Sequence, residues 1–539
     1  MNTYVQSPSR IPTSSRSTTL KGLLRSTISP TDKLIITQVL LDAEKELKNY
    51  QVEISRLRTA ILTLESKQEG VKRMMDKYRS LLSPIHRVPP EVLKNIFEYS
   101  CRINHLNMGS LPPAMTLSAV CGRWRELVLN TPSLWSSISI DYLYWERGSC
   151  EFLNRLTCRF MERSRTSPLT LNLEFCAFDF NEADDDAIST VEALVHNCSR
   201  WYDVTWCFRR QAMNNSMFAP IRGHLPMLQY LDIRADEEGS DEDELSWGLF
   251  SECPSLHSVS LAIGNPLSDS IDLPWQRIMS LTIDAGAANP DDILRVLSIC
   301  PSIRRLELPS IYGFTIEPTV VRPSQLESLS ITAYKSEHLS LLPHLTTPRL
   351  SSIEICGGYL GRHFWGPDTW DECLFTSFLV RSSCTITSLH LRWLPITDTQ
   401  VLPLLELLPS LRTLRLQECT RTYPRTNQKN SIVTRTFLNR LTMDCESLVT
   451  TLVPRLIHLE LLVVNNGLEQ QALMEMLSSR WFPDPSHASC NVVESLKSFS
   501  LTVVGMREGS THDPECFALL QYFRDSGLLV TTSYKSTLP

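Results

Sequence analysis

A six-residue phrase, with leucine or another apolar residue at its first, fourth and sixth positions, recurs along most of this 539-residue chain. Alternating apolar positions predict a short strand that turns every second side chain inward. One such strand cannot bury its own apolar face, so the repeats must stack on each other, with return segments between them. Nine copies begin at Leu228, Leu256, Ile303, Leu326, Leu350, Ile386, Leu411, Leu456 and Leu496.

Helical return segments can be recognised ahead of two copies, at residues 291–300 and 399–408. Strand and helix thus alternate, and residues 150–539 are predicted to form an α/β solenoid within a chain that is α+β as a whole. The array is similar to the leucine-rich-repeat family. Only the copy at Leu411 has a residue of the kind this family uses in its ladder, Cys419. The resemblance therefore implies a degenerate horseshoe that binds a protein, with the number and boundaries of its repeats left open.

A heptad pattern occupies residues 32–83, a stretch without proline. Its core positions alternate at intervals of four and three residues, which predicts a coiled-coil helix. Gly70 costs on the order of 1 kcal/mol relative to alanine, but the heptad keeps its phase there, so we expect one unbroken helix capped by Asp32. Only Gln68 interrupts the apolar register of these positions: Ile36, Leu40, Ala43, Leu47, Tyr50, Ile54, Leu57, Ile61, Leu64, Gln68, Val71, Met75, Tyr78 and Leu82.

The apolar stripe of this helix needs a surface to cover it. A second copy of the chain would cover it in a homodimer through residues 32–83, and so would a helix of another protein. Packing onto the protein's own body is the alternative, and the sequence leaves the choice open. The preceding residues 1–31 are rich in Ser, Thr and Pro and are predicted to be a disordered tail.

Charge is distributed unevenly along the chain. Residues 1–82 contain 14 Lys and Arg against 8 Asp and Glu, although the whole chain has a net charge of −7. The basic residues are interleaved with acidic ones along the predicted helix. That pattern is typical of a solvated face, and it argues against a nucleic-acid partner.

Three further sequence features bear on the cellular compartment of the protein. The first 31 residues lack the apolar segment of a signal peptide, and no run of about 18 apolar residues occurs, so we expect no membrane span. The sixteen cysteines are scattered, with no Cys-x-x-Cys pair. We therefore expect reduced thiols and a place in the cytoplasm or nucleus.

Residues 84–140 contain apolar helical segments that the repeats do not explain. Pro89 and Pro90 stiffen the entry to the first segment, and Pro90 suits the first turn of a helix, where its missing N–H has no partner to lose. The carboxylate of Glu91 in that turn favours the helix dipole. One apolar face follows, formed by Val92, Leu93, Ile96 and Phe97.

After an irregular interval at residues 101–114, the sequence predicts a second apolar helix. Thr131 and Pro132 end it, and Leu134 and Trp135 turn the chain back. The apolar positions of this second helix are Leu117, Val120, Cys121, Trp124, Leu127 and Val128.

This segment resembles the F-box family, a three-helix domain, in three submotifs that occur in order. They are Val88-Pro89-Pro90-Glu91 continuing to Ile96-Phe97, then Val120-Cys121-x-Arg123-Trp124, and finally Pro132-Ser133-Leu134-Trp135. Val88 stands where the family usually has leucine, and the interval at residues 101–114 is long. With a heptad helix before it and repeats behind it, the chain is similar to F-box proteins of mushroom-forming fungi.

The resemblance implies the substrate-recognition subunit of an SCF-type ubiquitin ligase. The F-box would dock on a Skp-family adaptor, which bridges to a cullin and a RING subunit, and the repeats would hold an unknown protein substrate. The same apolar residues could equally form the domain's own core, with Trp124 and Trp135 as the first candidates. The residues implied at the adaptor contact are Pro89, Pro90, Glu91, Val92, Leu93, Ile96, Phe97, Val120, Trp124, Leu127 and Trp135.

The sequence contains no recognisable catalytic constellation. We find no nucleophile elbow, phosphate loop, zinc-ligand spacing or pair of catalytic carboxylates. No catalytic, cofactor-binding or metal-binding residues are therefore predicted, and we expect a subunit that is not itself an enzyme. The alternative function is an interaction scaffold of coiled coil and repeats without coupling to ubiquitin. Tyr334, Trp365 and Trp393 are candidate substrate contacts.

Overall fold

The computed structural model divides the chain into two compact units, Met1–Val92 and Leu93–Pro539. Residues 1–23 and 26, most of the predicted tail, lie outside the described residues, and so does Cys419. The structure describes residues 24–25, 27–107, 109–144, 150–175, 185–208, 215–235, 247–263, 272–284, 290–310, 320–333, 339–357, 370–394, 396–418, 431–443, 451–464, 468–482, 493–505 and 515–535.

One long helix, α1 (Pro30–Leu81), forms most of the first unit. At 1.5 Å per residue it is about 78 Å long. The predicted continuity through Gly70 is confirmed, but the predicted cap is wrong. The cap is Ser29, whose Oγ accepts from the backbone N of Asp32 at 3.2 Å, while the Asp32 carboxylate accepts from the backbone N of Ser29 at 3.1 Å. These bonds from Ser29 lower the pKa of Asp32.

The second unit contains a sheet in which each described strand pairs in parallel with the next strand of the chain. Strand order equal to chain order means that the backbone advances by one strand, about 4.8 Å, with every turn, as in a solenoid. The strands are β1 (Asn104–His105), β2 (Ser137–Asp141), β3 (Leu169–Phe175), β4 (Trp201–Phe208), β5 (Tyr230–Ala235), β6 (Ser258–Ile263), β7 (Ser280–Asp284), β8 (Arg305–Ser310), β9 (Ser328–Ala333), β10 (Ser352–Gly357), β11 (Ser388–Leu394), β12 (Thr413–Glu418), β13 (His458–Val464), β14 (Ser498–Val504) and β15 (Leu529–Lys535).

The nine predicted copies all lie on strands, namely β5, β6 and β8 to β14, and their apolar positions are in register. Leu389 of β11 lies beside Ile353 of β10 and Leu414 of β12, and all three are buried. The ladder of side chains is therefore one continuous core that no single repeat could form alone. The solenoid-like architecture predicted from the repeats is confirmed at this level.

Several strands lie outside the nine predicted copies. On β3 the inward leucines lack the first apolar position of the phrase, which is Pro168. On β4 aromatic side chains replace most of the aliphatic ones, and the ring of Phe208 stacks on that of Phe175 of β3 with their centroids 5.0 Å apart. Strand β7 carries a tenth copy of the phrase, from Ile278 to Ile283. The sheet also begins at β1 and β2, inside the segment predicted to be a separate helical domain.

Helices occupy many of the return segments. The two predicted ones are confirmed as α7 (Pro290–Ile299) and α9 (Asp398–Glu406), although α9 ends two residues early. A capping box at its start, in which the backbone N of Thr397 donates to Gln400 Oε1 at 3.1 Å, holds that helix in place. After α1 the helices are α2 (Pro90–Ser100), α3 (Pro113–Val120), α4 (Gly122–Leu129), α5 (Cys150–Ser164), α6 (Asp185–His196), α7 (Pro290–Ile299), α8 (Glu372–Ser382), α9 (Asp398–Glu406), α10 (Arg435–Leu441), α11 (Gln470–Arg480) and α12 (Glu515–Asp525).

Most of the described cysteines are buried with free thiols. Burial raises the pKa of Cys253 and of Cys300 to about 12, so both thiols are un-ionised at neutral pH. Cys207 on β4 is instead disulfide-bonded, which departs from the expectation of reduced thiols throughout. Over the described residues no helix has the length and apolar character that crossing a bilayer requires.

Candidate functional site

Helices α2, α3 and α4 and a 3-10 turn, Pro132–Trp135, form the segment that the sequence predicts to dock a partner. The prediction of one helix across Cys121 is wrong. Cys121 has φ −157° and ψ 169°, an extended conformation that ends α3 and precedes α4. Because an extended residue interrupts the i to i−4 hydrogen bonds, the two helices can run in different directions.

Three of the predicted contact residues belong to the core of this segment. Leu93, Phe97 and Trp135 each have 0% of their surface exposed. The ring of Phe97 meets that of Trp124 edge-on at 4.8 Å between centroids, and Trp135 Nε1 donates to the backbone O of Val128 at 3.0 Å. Buried side chains cannot line a contact surface in this conformation, so for these three the core interpretation replaces the contact one.

The remaining predicted contact residues are partly or largely exposed to solvent. Within the second unit, Ile96 is 47% and Val120 57% exposed, whereas Trp124 and Leu127 are half-buried. Large aliphatic side chains held this far into solvent on helices are candidates for burial by a partner. The exposed members of the first unit are Pro89, Pro90, Glu91 and Val92.

Further apolar surface in the same stretch was missed from the sequence. Tyr99, Ile103 and Leu111 are 69%, 49% and 58% exposed, and the guanidinium of Arg102 lies 4.4 Å from the centre of the Tyr99 ring. Tyr99 could have been found, since it lies one helical turn beyond Ile96. The concentration of exposed apolar side chains between residues 96 and 120 is typical of a protein-binding surface.

Asn104, within the interval that the sequence leaves irregular, ties this segment together. It is completely buried, and its Nδ2 donates to the backbone O of Leu134 at 3.0 Å and of Ser137 at 2.9 Å. Its Oδ1 accepts from the backbone N of Ala114 at 3.1 Å. The long interval supplies strand β1 and a buried amide that joins α3, the 3-10 turn and β2.

Replacing Asn104 by leucine is expected to lower the free energy of unfolding by about 3 kcal/mol, because three buried backbone groups lose their partner. Chemical denaturation of the full chain would measure the loss. Asn172→Leu is the matched control. Asn172 is half-buried and its amide bonds only two side chains, Ser139 and Glu174, so the loss there should stay below about 1 kcal/mol. Equal losses would contradict the role given to Asn104.

The parallel sheet presents one row of polar side chains between its two buried apolar rows. Strand pairing places each member beside the next, at about 4.8 Å between backbones. The members on β6, β7, β9 and β14 are small and uncharged, whereas those on β8, β10, β12 and β13 carry charge. Its members from β6 to β14 are Ser260, Thr282, Glu307, Ser330, Glu354, His390, Arg415, Glu460 and Ser500.

Glu354 is the centre of a charged cluster on this face. Its Oε1 lies 3.2 Å from His390 Nδ1 and 3.2 Å from Arg392 Nη1. The hydrogen bond with His390, and then that with Arg392, lower the pKa of Glu354, against the opposing effect of partial burial. The Arg392 guanidinium also lies 4.4 Å from the ring centre of Trp393. Trp393 is half-buried, and Tyr334 and Trp365 lie outside the described residues.

A shallow groove adjoins the cluster on β12, β13 and β14. Arg415 Nε lies 3.2 Å from Glu460 Oε2 across two strands, and His458 Nδ1 lies 2.7 Å from Ser498 Oγ. These ion pairs and hydrogen bonds are half exposed, so an incoming polar or charged chain can exchange with them at little cost. The arrangement is suited to binding a polypeptide by complementary charge.

The lowered pKa of Glu354 predicts a stability contribution that depends on pH. A carboxyl group whose folded-state pKa is depressed stabilises the fold above its unfolded pKa, roughly 4.3, and loses that contribution as the pH falls further. Glu354→Gln should therefore reduce the fall of the melting temperature between pH 6 and pH 3 by roughly 1–2 °C. The exposed Glu327, 3.8 Å from Arg304, supplies the control substitution, Glu327→Gln, for the loss of a surface ion pair. A profile insensitive to Glu354→Gln would refute this role.

Within the described ranges, no cluster of three or more His, Cys, Asp or Glu side chains is placed to hold a metal ion.

Comparison with known proteins identifies the helical segment. Residues 85–141 match the family model described as F-box-like, so the chain contains an F-box-like domain. F-box domains in general bind Skp-type adaptors, and F-box proteins are typically non-catalytic subunits. No curated protein matches the chain. A crystal structure of a protein from Bacteroides fragilis aligns at 12% identity over 60% of this chain and 68% of that one, with a TM-score of 0.29.

Proposed function

We propose that this chain, through its F-box-like domain, is the substrate-recognition subunit of an SCF-type ubiquitin ligase. The observation that carries the proposal is that the domain at residues 85–141 contains the first two strands of a long parallel sheet with a polar outer row, and that the other thirteen described strands follow it. One part connects to the ligase and the other binds the target. Ubiquitin transfer itself belongs to the partner subunits, so this chain needs neither catalytic residues nor a cofactor.

The adaptor contact is assigned to exposed side chains of the helical segment. Ile96 and Val120 would enter apolar pockets of a Skp-family adaptor, because burying an aliphatic side chain that is half exposed is worth about 1 kcal/mol or more. The exposed Pro89, Pro90, Glu91 and Val92 are assigned to the same contact by their match to the family pattern. Leu93, Phe97 and Trp135 would support it from the core, beneath the surface, and Trp124 and Leu127 would lie at its edge.

The sheet region is proposed to be a degenerate leucine-rich-repeat horseshoe that holds a protein substrate. The support is the register of the repeated phrase on neighbouring strands and the row of outward polar side chains between the buried ones. Substrate contact is assigned to the charged part of that row, around Glu354, Arg415 and Glu460. An SCF-type role also places the protein in the cytoplasm or nucleus.

The helix α1 is proposed to form a homodimer through residues 32–83. Over the described residues none of its side chains is buried, although its heptad positions are apolar. A dimer would give the ligase two substrate-binding sheets, which raises the effective concentration of bound target.

Co-purification with a Skp-family adaptor tests the proposal. Capture of the full chain at submicromolar adaptor, together with cullin and RING subunits when these are added, is the expected result. The alternative function, an interaction scaffold without ubiquitin coupling, is favoured by the large exposed apolar face of α1. Absence of adaptor capture by a folded chain would reject the ligase role and leave the scaffold.

A further inference from the structure

We propose that two copies of α1 pair in antiparallel orientation, in the register that places Leu40 of each copy beside Tyr78 of the other. The inference rests on the homodimer of the proposed function and adds to it the direction and register of the helices. In this register the seam runs from Ile36 to Leu82, and the two-fold axis passes close to residue 59. Every heptad core position of the helix then has a partner.

The apolar face that this pairing would cover is open to solvent. The heptad positions from Leu40 to Tyr78 include large apolar side chains that are about half exposed or more, for example Leu47 at 61%, Ile54 at 49% and Leu64 at 65%. Within the described part of the chain no side chain of α1 is buried. A continuous stripe of this length is far larger than the apolar patches usual on monomers.

The direction follows from the charges that flank the stripe. In a coiled coil the residues at heptad positions e and g lie beside the seam and set the orientation of the partner. In α1 the charged residues at these positions are acidic in the first half of the helix and, except for Glu65, basic in the second half. The acidic members are Glu44, Glu46, Glu53 and Glu65, and the basic members are Arg58, Lys67, Lys72 and Arg79. Glu65 has a neutral neighbour in either orientation and favours neither.

An antiparallel partner brings opposite charges together. In the stated register Glu53 of one copy meets Lys67 of the other, and Glu44 meets Lys72, and the two-fold symmetry doubles both pairs. Arg58 meets its own copy at the centre, which is the one unfavourable flanking contact. Flanking charge complementarity therefore favours this orientation overall.

A parallel partner distributes the same charges less well. In parallel pairing a residue at g meets the residue five positions later on the other copy. Glu53 would then meet Arg58 favourably, but Lys67 would meet Lys72, a repulsive contact that symmetry also doubles. The acidic Glu44 would have a neutral neighbour, Val39, so the favourable and unfavourable pairs cancel.

The seam itself supports the same orientation. Antiparallel pairing places the amide of Gln68 beside the phenol of Tyr50, so that the single polar core position gains a hydrogen-bond partner. It also places Ala43 beside the long, flexible side chain of Met75, which fills the space beside the methyl group. Parallel pairing would place each of these residues against its own kind, leaving a void at Ala43 and two bulky rings at Tyr50.

Charge-swap variants of the full chain test the orientation. The variant Lys67→Glu/Lys72→Glu turns all four favourable antiparallel pairs into repulsive ones, so its dimer dissociation constant should rise roughly ten- to a hundredfold. Adding Glu44→Lys and Glu53→Lys restores opposite charges in the antiparallel pair, and the dissociation constant should return to within about threefold of the original. Sedimentation equilibrium gives these constants, and far-UV circular dichroism checks that the helix is retained.

The outcomes separate orientation from association. In a parallel dimer the dissociation constant should not change for Lys67→Glu/Lys72→Glu, because the Lys–Lys contact becomes a Glu–Glu contact. An unchanged constant, or a fourfold variant whose constant does not recover, overturns the antiparallel assignment alone. A wild-type chain that stays monomeric at high concentration overturns the homodimer as well, while adaptor capture remains a separate test of the ligase role. A photo-crosslinking residue at position 47 gives a second readout. Links to the region of Val71 in a second copy support the proposal, and links to position 47 or to a different protein overturn it.

Discussion

Aspartate at both Ile96 and Val120 is expected to reduce capture of a Skp-family adaptor at least about a hundredfold, while the melting temperature of the chain stays within about 2 °C of the original. Both side chains are about half exposed in the free chain. A carboxylate there is solvated before binding and would have to be desolvated at the contact, which costs several kcal/mol. Surface plasmon resonance against the purified adaptor measures the affinity.

Ile96 and Val120 are the residues to change, because substitution of a buried apolar residue would not separate the loss of adaptor binding from unfolding of the domain. Aspartate at Leu93 or Phe97 would place a charge in the core and unfold the domain, so adaptor capture would be lost whatever the contact is. Val380 on α8 supplies the matched control. It is 67% exposed on a helix, and Val380→Asp should leave adaptor affinity unchanged. Full capture by the folded Ile96→Asp/Val120→Asp chain would remove these residues from the contact.

The largest expected loss of stability follows from replacing Arg480, which lies at the end of α11 with 0% of its surface exposed. Arg480→Met should lower the free energy of unfolding by about 3–5 kcal/mol. The guanidinium donates through Nε to the backbone O of Leu441 at 2.5 Å, through Nη1 to Val453 at 3.1 Å and through Nη2 to Leu452 at 2.5 Å. Methionine fills similar volume but leaves the buried carbonyl groups of Leu441 and Leu452 without this donor, while the carbonyl of Val453 keeps its bond from the backbone N of Leu456 at 3.2 Å.

Two details strengthen the expectation for Arg480. Burial lowers its pKa to about 10, which is still far above neutral pH, so the group stays charged and its bonds are charge-assisted. Val453 has φ 42°, a left-handed conformation that is unfavourable for a β-branched residue, and Arg480 helps to hold it there. Denaturant unfolding monitored by tryptophan fluorescence would measure the loss.

Arg381 is the control for Arg480, because it makes the same kind of hydrogen bond but is less buried. Its guanidinium also bonds backbone carbonyls, those of Leu342 and Leu345, but the residue is exposed on α8. Arg381→Met should therefore cost only about 1 kcal/mol, because water can replace the lost donor. Similar losses for the two variants would mean that burial does not govern the effect at Arg480.

The strands of the sheet could be predicted from the sequence where they carry the six-residue apolar phrase. Nine copies of the apolar phrase could be predicted because the side chains at its first, fourth and sixth positions all face one core. Strand β4 does not follow the phrase, since Trp206 and Phe208 fill that core with rings instead of branched aliphatic chains, and on β3 Pro168 stands at the first apolar position. Arg480 and Asn104 could not be recognised either, because their bonding partners are distant in sequence.

In the docking segment the sequence marked the right residues without separating their roles. Leu93 and Ile96 are both aliphatic and lie on one helix, yet one is fully buried and the other is half exposed. Helical periodicity gives the direction of a side chain about the helix axis. Whether that direction meets another element depends on α3, α4 and the 3-10 turn, whose placement depends in turn on Cys121.

The sequence by itself determined the long unbroken helix, the F-box-like segment and the stacking of repeats, because each rests on local periodicity that the chain repeats or caps within a few residues. Only the tertiary structure decided which apolar residues remain at the surface, that the sheet begins at Asn104 inside the docking segment, and which polar side chains stand side by side across strands. These features depend on contacts between residues tens of positions apart. Their energies come from burial and from satisfied hydrogen bonds, which no single segment contains.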